Sequence, residues 1–296
     1  MHNELFTIGS VTVYGYGLMI AIGALSGVLM AAWRGKKHGK DWNLVFDISL
    51  WGLIAGLIGA RLTYVLRHLS DFIANPKELL GTDGYIVYGG VILGILVGAL
   101  LCKIKKVSFL EMADLIIPSV ALGQGFGRIG CYLAGCCYGA RTESILGVFF
   151  PADSYAPSGV ALWPTQLFSS AGDFLLVIIL ILLSRTRLPK GSICSFYLIL
   201  YGVGRFLIEF LRDDERGYIG ALTNNQVVSI GFVLLGGLLL FFLLRRSKEG
   251  TLAEEIEAAS LGREGMEKDG LDECHTVVAS PEKEEQNDGG SEAETK

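Results

Sequence analysis

Charge is what this 296-residue chain has least of: 19% of its residues are Asp, Glu, Lys or Arg, against about 25% in a soluble domain. The shortage is uneven. Residues 249–296 hold 15 of the 30 acidic side chains and 4 of the 25 basic ones, leaving 15 acidic and 21 basic groups in residues 1–248. The formal charge of −5 therefore belongs to an acidic tail on a mildly basic body, and no basic–aromatic interleaving points to a nucleic-acid partner. The six cysteines lack the spacing of a disulfide-stapled secreted domain. Histidine is scarce too: His2, His38, His68 and His275 are dispersed, and the adjacent Cys274 and His275 fall short of the several converging ligands a metal needs. No metal-ligand cluster is visible, so neither a metal nor another cofactor is implied. A cleavable signal is not evident, because basic residues rather than a cleavage site follow the first apolar stretch.

What the chain has in quantity is apolar sequence, 51% of its residues. A helix needs ~20 apolar residues to cross the hydrocarbon core of a bilayer. Seven candidates meet that need, at about Val13–Trp33, Leu44–Leu66, Ile86–Cys102, Phe109–Phe126, Pro164–Ser184, Ser192–Leu211 and Asn224–Leu244. The expected fold is thus an all-α, polytopic integral membrane helix bundle. Its membrane domain is residues 1–248, with an extracytoplasmic loop at 128–163, and residues 249–296 form a disordered tail with room for a short helix at Leu252–Ala259. Glycines at four-residue spacing, Gly23 and Gly27, Gly52 and Gly56, Gly94 and Gly98, suit close helix contact in lipid. Basic clusters follow the first, third, fifth and seventh spans: Arg34 to Lys40, Lys103 to Lys106, Arg185 to Lys190, and Arg245 to Lys248. The positive-inside rule then puts the amino terminus outside and the tail in the cytoplasm.

Charged groups within spans are expensive and face the bundle interior or a watery cavity. Those here are Arg61, Glu111, Asp114, Arg128, Asp173, Arg205, Glu209 and Arg212. Arg205, Glu209 and Arg212 stand at i, i+4 and i+7 on one helical face, either as a structural ion pair with an interfacial arginine or as part of a site. A glycine-rich stretch from Gly123 through Gly127-Arg128-Ile129-Gly130-Cys131 to Gly135-Cys136-Cys137-Tyr138-Gly139 permits tight turns and backbone N–H groups beside Arg128. Glycine also serves plain packing, and no Gly-Lys-Ser/Thr follows to make a phosphate loop. Cys131, Cys136 and Cys137 read as packing residues or as a disulfide pair on the outer face. Arginine binds phosphate bidentately and keeps its charge at neutral pH, so the set fits a phosphate-bearing amphiphile. A solute transporter would also carry arginines in its core.

The motifs together resemble the prolipoprotein diacylglyceryl transferase family. The resemblance runs over roughly residues 6–244: Tyr16-Gly17-Leu18-Met19, Gly59-Ala60-Arg61-Leu62, Tyr88-Gly89-Gly90, Gly127-Arg128-Ile129-Gly130, Gly139, Pro164-Thr165-Gln166-Leu167, Tyr201-Gly202, Arg205, Glu209, Arg212 and Gln226. It implies an enzyme of the bacterial cytoplasmic (inner) membrane that moves the diacylglyceryl group of phosphatidylglycerol onto the lipobox cysteine thiol of a preprolipoprotein, the first step of lipoprotein maturation. On this sequence it implies that Arg128 and Arg205 contact the lipid head group, with Glu209 orienting Arg205 or a substrate hydroxyl. Tyr88 joins these as a catalytic candidate, and Tyr16, Arg61, Gly139, Gln166, Arg212 and Gln226 as substrate contacts. The nucleophile is the substrate's own thiol, so no chain cysteine is needed for covalent catalysis. The number of copies that assemble is left open, a monomer included.

Departures from the family pattern leave the acid–base group open. Tyr88 and Trp163 stand where family members often carry histidine, and Leu167-Phe168-Ser169 ends without the usual carboxylate. Cys131 and Cys136 replace an asparagine and a glutamate, and Asp213-Asp214 replaces a Pro-Asp. Tyrosine, with a pKa of ~10, is a poor resting base at neutral pH. A divergent paralogue that binds or acts on another anionic lipid stays open beside the enzyme, as does a non-enzymatic transporter.

Overall fold

Seven helices of the computed structural model are long and apolar enough to span a bilayer. Residues 4–8, 11–74, 84–152, 154–213 and 217–248 are described. The tail, its short helix, Cys274, His275, His2 and Asp214 lie outside them. The chain divides into Met1–Leu244 and Arg245–Lys296, of which the second contributes only the end of the last helix to the described residues.

A hairpin of β1 (Glu4–Ile8) and β2 (Val11–Tyr14) leads into α1 (Gly15–Lys37). The spans that follow are α2 (Trp42–Arg67), α4 (Val87–Ile104), α5 (Phe109–Ala134), α6 (Thr165–Leu183), α7 (Ser192–Ile208) and α8 (Asn224–Lys248). Shorter pieces link them: α3 (Leu69–Ala74), the β3–β4 pair (Val148–Phe149 with Ala161–Leu162), a 3-10 turn at Glu209–Leu211, and the β5–β6 pair (Tyr218–Ile219 with Leu222–Thr223). At most a third of each span's most apolar stretch is buried within the protein. The rest presents Leu, Ile, Val and Phe outward, as a bundle solvated by lipid must.

Small residues set which helices touch. A Cβ on Gly59 would lie 2.6 Å from the Gly89 carbonyl oxygen, and one on Gly90 would lie 2.6 Å from that of Gly56. Only glycine therefore permits the α2–α4 crossing, and association in lipid depends on such contact. Of the glycines picked out by spacing, Gly98 alone has no such neighbour within 4 Å.

One boundary differs from the sequence reading in a way that matters. The fourth span was expected to end near Phe126 and the loop to occupy 128–163; instead α5 continues to Ala134, where Gly135 caps it in the left-handed conformation. The closely spaced glycines act as contact points rather than turns: Gly130 faces Tyr16 and Gly125 faces Phe174. Pro118 is accommodated inside the helix. Arg128 is consequently a helical residue, held in a rigid wall.

The end of the bundle away from Arg128 is tied by charge. Glu111, at the start of α5, binds both Lys40 and Lys190, so the basic clusters after α1 and α6 meet one carboxylate on one side. Asp114, one turn on, accepts from the backbone N–H groups of Gly191 (2.6 Å) and Cys194 (2.8 Å) and so caps α7 from a neighbouring helix. Asp114→Ala leaves those two donors without an acceptor and should cost about 1–3 kcal/mol. Unfolding of the purified protein in detergent measures this; an unchanged midpoint would contradict the capping role.

Candidate active site

The other end of the bundle gathers most of the residues singled out in the sequence. Backbone pairing brings three separated segments together there. Gly139 N–H donates to the Trp163 carbonyl (3.0 Å), Trp163 N–H to Ala140 (3.0 Å), and Ala140 N–H to Leu211 (2.8 Å), while Gly139 and Arg212 form an antiparallel bridge. A Cβ on Gly139 would approach the Leu211 and Trp163 carbonyl oxygens to 2.7 Å, so this strand-like cradle closes only around glycine. Thr165 and Gln166, both almost fully buried at the start of α6, bind the carbonyls of Cys137 and Cys136 at 2.8 Å each. The loop after α5 is thereby fixed at successive residues.

Below the cradle lies a cavity of about 240 Å³ between α5, α6 and α7. Its polar lining is Arg128, Asp173, Tyr201, Arg205 and Ser169; the remainder is largely leucine, isoleucine and phenylalanine. Two further lining residues, Gly172 and Gly204, are exposed on the outer surface of α6 and α7, and a Cβ on either would meet nothing within 4 Å. Leu175 and Leu200 line the cavity and are exposed as well. The cavity therefore meets the lipid sideways, between α6 and α7, with a charged head and an apolar flank.

Arg205 is half paired. Its Nη2 lies 3.1 Å from Glu209 Oε2, while Nη1 is buried with no hydrogen-bond partner among the described residues. Glu209 is itself buried, and its Oε1 accepts from Thr223 Oγ1 (2.9 Å) and Asn225 Nδ2 (3.1 Å). The ion pair legible at i and i+4 is thus one part of a network reaching the start of α8. Asp173, buried in α6 and close enough to both guanidinium groups to interact with them, has Oδ2 without a hydrogen-bond partner among the described residues.

The other candidates are distributed differently. Tyr16, in the first turn of α1, packs against Gly130 and stands in the electrostatic neighbourhood of Arg128 and the three nearby cysteines. Gln226 closes a capping box: its Oε1 accepts from Thr223 N–H (3.0 Å) while Thr223 Oγ1 accepts from Gln226 N–H (3.2 Å). Arg61 donates to the Gly84 carbonyl (2.8 Å) and lies over the Tyr64 and Tyr85 rings, which anchors the connection into α4. Tyr88 is half exposed at the start of α4 and is not among the cavity's lining residues.

Two features escaped assignment to the site from sequence. Asp173 carried a signal, a carboxylate in an otherwise apolar span, but nothing in the spacing pointed it at the arginines. The cysteines stood out as a close group that reads as packing residues or a disulfide pair, not as metal ligands. All described cysteines are free, and the sulfurs of Cys131, Cys136 and Cys137 lie within 4.8 Å of one another, so a ligand-like cluster exists where the sequence showed none. Their convergence depends on left-handed backbone at Gly135 and Cys137, which spacing does not reveal.

Seven helices able to span a bilayer, with Arg128 and Arg205 lining one cavity between α5, α6 and α7, define a polytopic membrane helix bundle with cationic groups among its spans. A sequence model of the prolipoprotein diacylglyceryl transferase family matches residues 3–242. The phosphatidylglycerol–prolipoprotein diacylglyceryl transferase of Clostridium tetani is 43% identical over 251 residues, 84% of this chain and 100% of the relative. The protein named phosphatidylglycerol–prolipoprotein diacylglyceryl transferase 2 of Clostridium perfringens is 43% identical over 244 residues, 81% of this chain and 94% of its own length. A Finegoldia magna relative named as the same enzyme is 34% identical over 242 residues, 81% of this chain and 94% of its own. The chain belongs to the prolipoprotein diacylglyceryl transferase family.

Proposed function

We propose that Arg128 and Arg205 hold the phosphate of phosphatidylglycerol while its diacylglyceryl group passes to the cysteine of a lipoprotein precursor. The enzyme is a diacylglyceryl transferase: the lipid's glyceryl C–O bond to phosphate breaks, a thioether to the cysteine sulfur forms, and glycerol phosphate leaves. The observation that carries the residue roles is the half-paired guanidinium of Arg205, whose free Nη1 belongs to a residue lining the same cavity as Arg128. As the C–O bond breaks, negative charge grows on the phosphate, and preorganised guanidinium groups in a water-poor cavity stabilise it without reorganising. Glu209 acts through Arg205, fixing one arm of the fork and leaving Nη1, buried and unpartnered among the described residues, for the phosphate. Asp173 stands within electrostatic reach of both cations, and its buried Oδ2 has no hydrogen-bond partner among the described residues.

The apolar flank suits an acyl chain, and the gap at Gly172 and Gly204 suits entry of a lipid from the bilayer. With the amino terminus outside and the basic clusters in the cytoplasm, Arg128 and the cysteine loop lie in the outer half of the inner membrane. There a secreted precursor presents its lipobox. The binding of Glu111 to Lys40 and Lys190 supports this, since it puts two basic clusters at the end opposite the cavity.

Reconstituted protein supplied with phosphatidylglycerol, phosphatidylethanolamine or phosphatidylcholine tests the donor: transfer should require phosphatidylglycerol. Gly204→Trp tests the entrance. It should reduce transfer at least about tenfold, through a raised KM for lipid, with insertion unchanged. Full activity of that variant, or equal use of zwitterionic donors, would count against the lateral cavity as the lipid site.

A further inference from the structure

Three thiols converge one helical turn from the phosphate-binding arginine. Cys131 lies three residues after Arg128 on α5, hence on a neighbouring part of the same helical face. Cys136 and Cys137 return to it because Gly135 (φ +75°) and Cys137 (φ +62°) both adopt left-handed backbone. For Cys137 that conformation is unusual; Lys106 is the one other non-glycine residue with positive φ among the described residues. The turn is held from outside by the buried Thr165 and Gln166 and from within by Cys136 N–H donating to the Cys131 carbonyl (3.1 Å). The three sulfurs are free, half-buried, and within 4.8 Å of one another.

We propose that Cys131, Cys136 and Cys137 form a three-thiolate zinc site whose fourth position takes the cysteine thiol of the incoming peptide. Zinc–sulfur bonds of ~2.3 Å in a tetrahedron place sulfurs about 3.8 Å apart, so binding draws together sulfurs that already lie within 4.8 Å of one another. Three protein ligands with one open position is the arrangement of a catalytic rather than a structural zinc. The packing reading explains half-buried thiols, and Cys136 Sγ donates to the Cys131 carbonyl (3.7 Å). Packing does not account for three sulfurs within 4.8 Å of one another, and a disulfide would employ two sulfurs and strand the third.

This assignment rests on the thiol-alkylating reaction proposed above and supplies the step that reaction otherwise lacks. A free thiol has a pKa near ~8.5, so little thiolate is present at neutral pH. Neither a described histidine nor any of the three cysteines is among the cavity's lining residues. Cys131 and Cys137 are nonetheless electrostatic neighbours of Arg128, whereas His38 follows α1 at the end of the bundle away from Arg128 and His68 caps α2 against Tyr64. Coordination to zinc deprotonates a thiol outright. The peptide thiol releases its proton to solvent on binding, its sulfur attacks the glyceryl carbon, and the C–O bond to phosphate breaks with the electron pair leaving on glycerol phosphate. The thioether product is neutral and a weaker ligand, so zinc is regenerated unchanged. Arg128 and Arg212, both electrostatic neighbours of Cys137, offset the negative charge of a zinc tetrathiolate.

The test uses full-length purified protein under reducing conditions. Elemental analysis should find one zinc per chain, lost in Cys131→Ser, Cys136→Ser and Cys137→Ser variants whose thermal unfolding shows them folded. Cobalt substitution should give thiolate-to-cobalt charge-transfer bands and tetrahedral d–d bands. A lipobox cysteine peptide, but not its serine version, should shift the d–d bands. Chelation should lower transfer by about 100-fold, with zinc restoring it. Failure of reduced wild-type protein to bind zinc or cobalt above the serine variants would overturn the site. A pair of cysteines that resists thiol reagents until reduced, and then binds no metal, would overturn it in favour of a disulfide. Full transfer by metal-stripped protein would remove zinc from the reaction while leaving the transferase assignment intact. Metal bound with a peptide-dependent spectrum, but no transfer from any phospholipid, would instead fault the transferase reading alone.

Discussion

Arg205→Ala should lower transfer by roughly 10²–10³-fold, the range seen when one preorganised stabiliser of transition-state charge is removed, and Arg128→Ala should do the same. Neither should prevent insertion, because the bundle is held elsewhere by the α1–α5 and α2–α4 contacts. The more discriminating variant is Arg205→Lys. Lysine keeps the charge but has no planar fork, so it cannot face Glu209 and a phosphate at once in the arrangement seen for Nη2 and Nη1. Its activity should fall at least about tenfold, one lost charge-assisted hydrogen bond being worth ~1.5–3 kcal/mol. Activity equal to wild type in Arg205→Lys would show that charge alone suffices. Full activity in both alanine variants would remove the arginines from the site.

Glu209→Ala should be the most damaging single change to structure. It leaves the buried Arg205 guanidinium without its counter-ion and strips Thr223 and Asn225 of their acceptor. Breaking a buried pair in this way costs about 3–5 kcal/mol, so loss of folded protein is the expected result. Glu209→Gln separates structure from chemistry. The amide oxygen still accepts from Thr223 and Asn225, so the protein should insert and unfold nearly as wild type. Arg205 is no longer held by charge, and transfer should fall by roughly 10²-fold, as misplacement of a positioned group by about 1 Å can cause. Rescue by Glu209→Asp would be partial at best, because the shorter side chain cannot span both sets of partners. A Glu209→Gln protein with full activity would reduce Glu209 to an anchor for α8.

The spans were legible because hydrocarbon imposes length and composition on any helix that crosses it. All seven expected spans correspond to helices. At 123–130 the glycines left tight turns and plain packing both open; packing holds, for in lipid these residues allow α5 to approach α1 and α6 and keep Arg128 helical. The Arg205–Glu209 pair could be read from i, i+4 spacing, but its extension to Thr223 and Asn225 could not, since it crosses two connections. The resemblance implies Gln226 as a substrate contact; Thr223 three residues earlier is the sequence sign of the capping box in which the structure places it. Asp173 and the cysteine cluster depend on tertiary convergence, which residue spacing does not carry.

The direct test of the account is transfer by purified protein from phosphatidylglycerol labelled in its diacylglyceryl part to a peptide bearing a lipobox cysteine. The account predicts label on the cysteine peptide, none on the serine version, and stoichiometric release of glycerol phosphate. Folded protein that binds the lipid yet moves no label to the cysteine, under reducing conditions with zinc present, would contradict it.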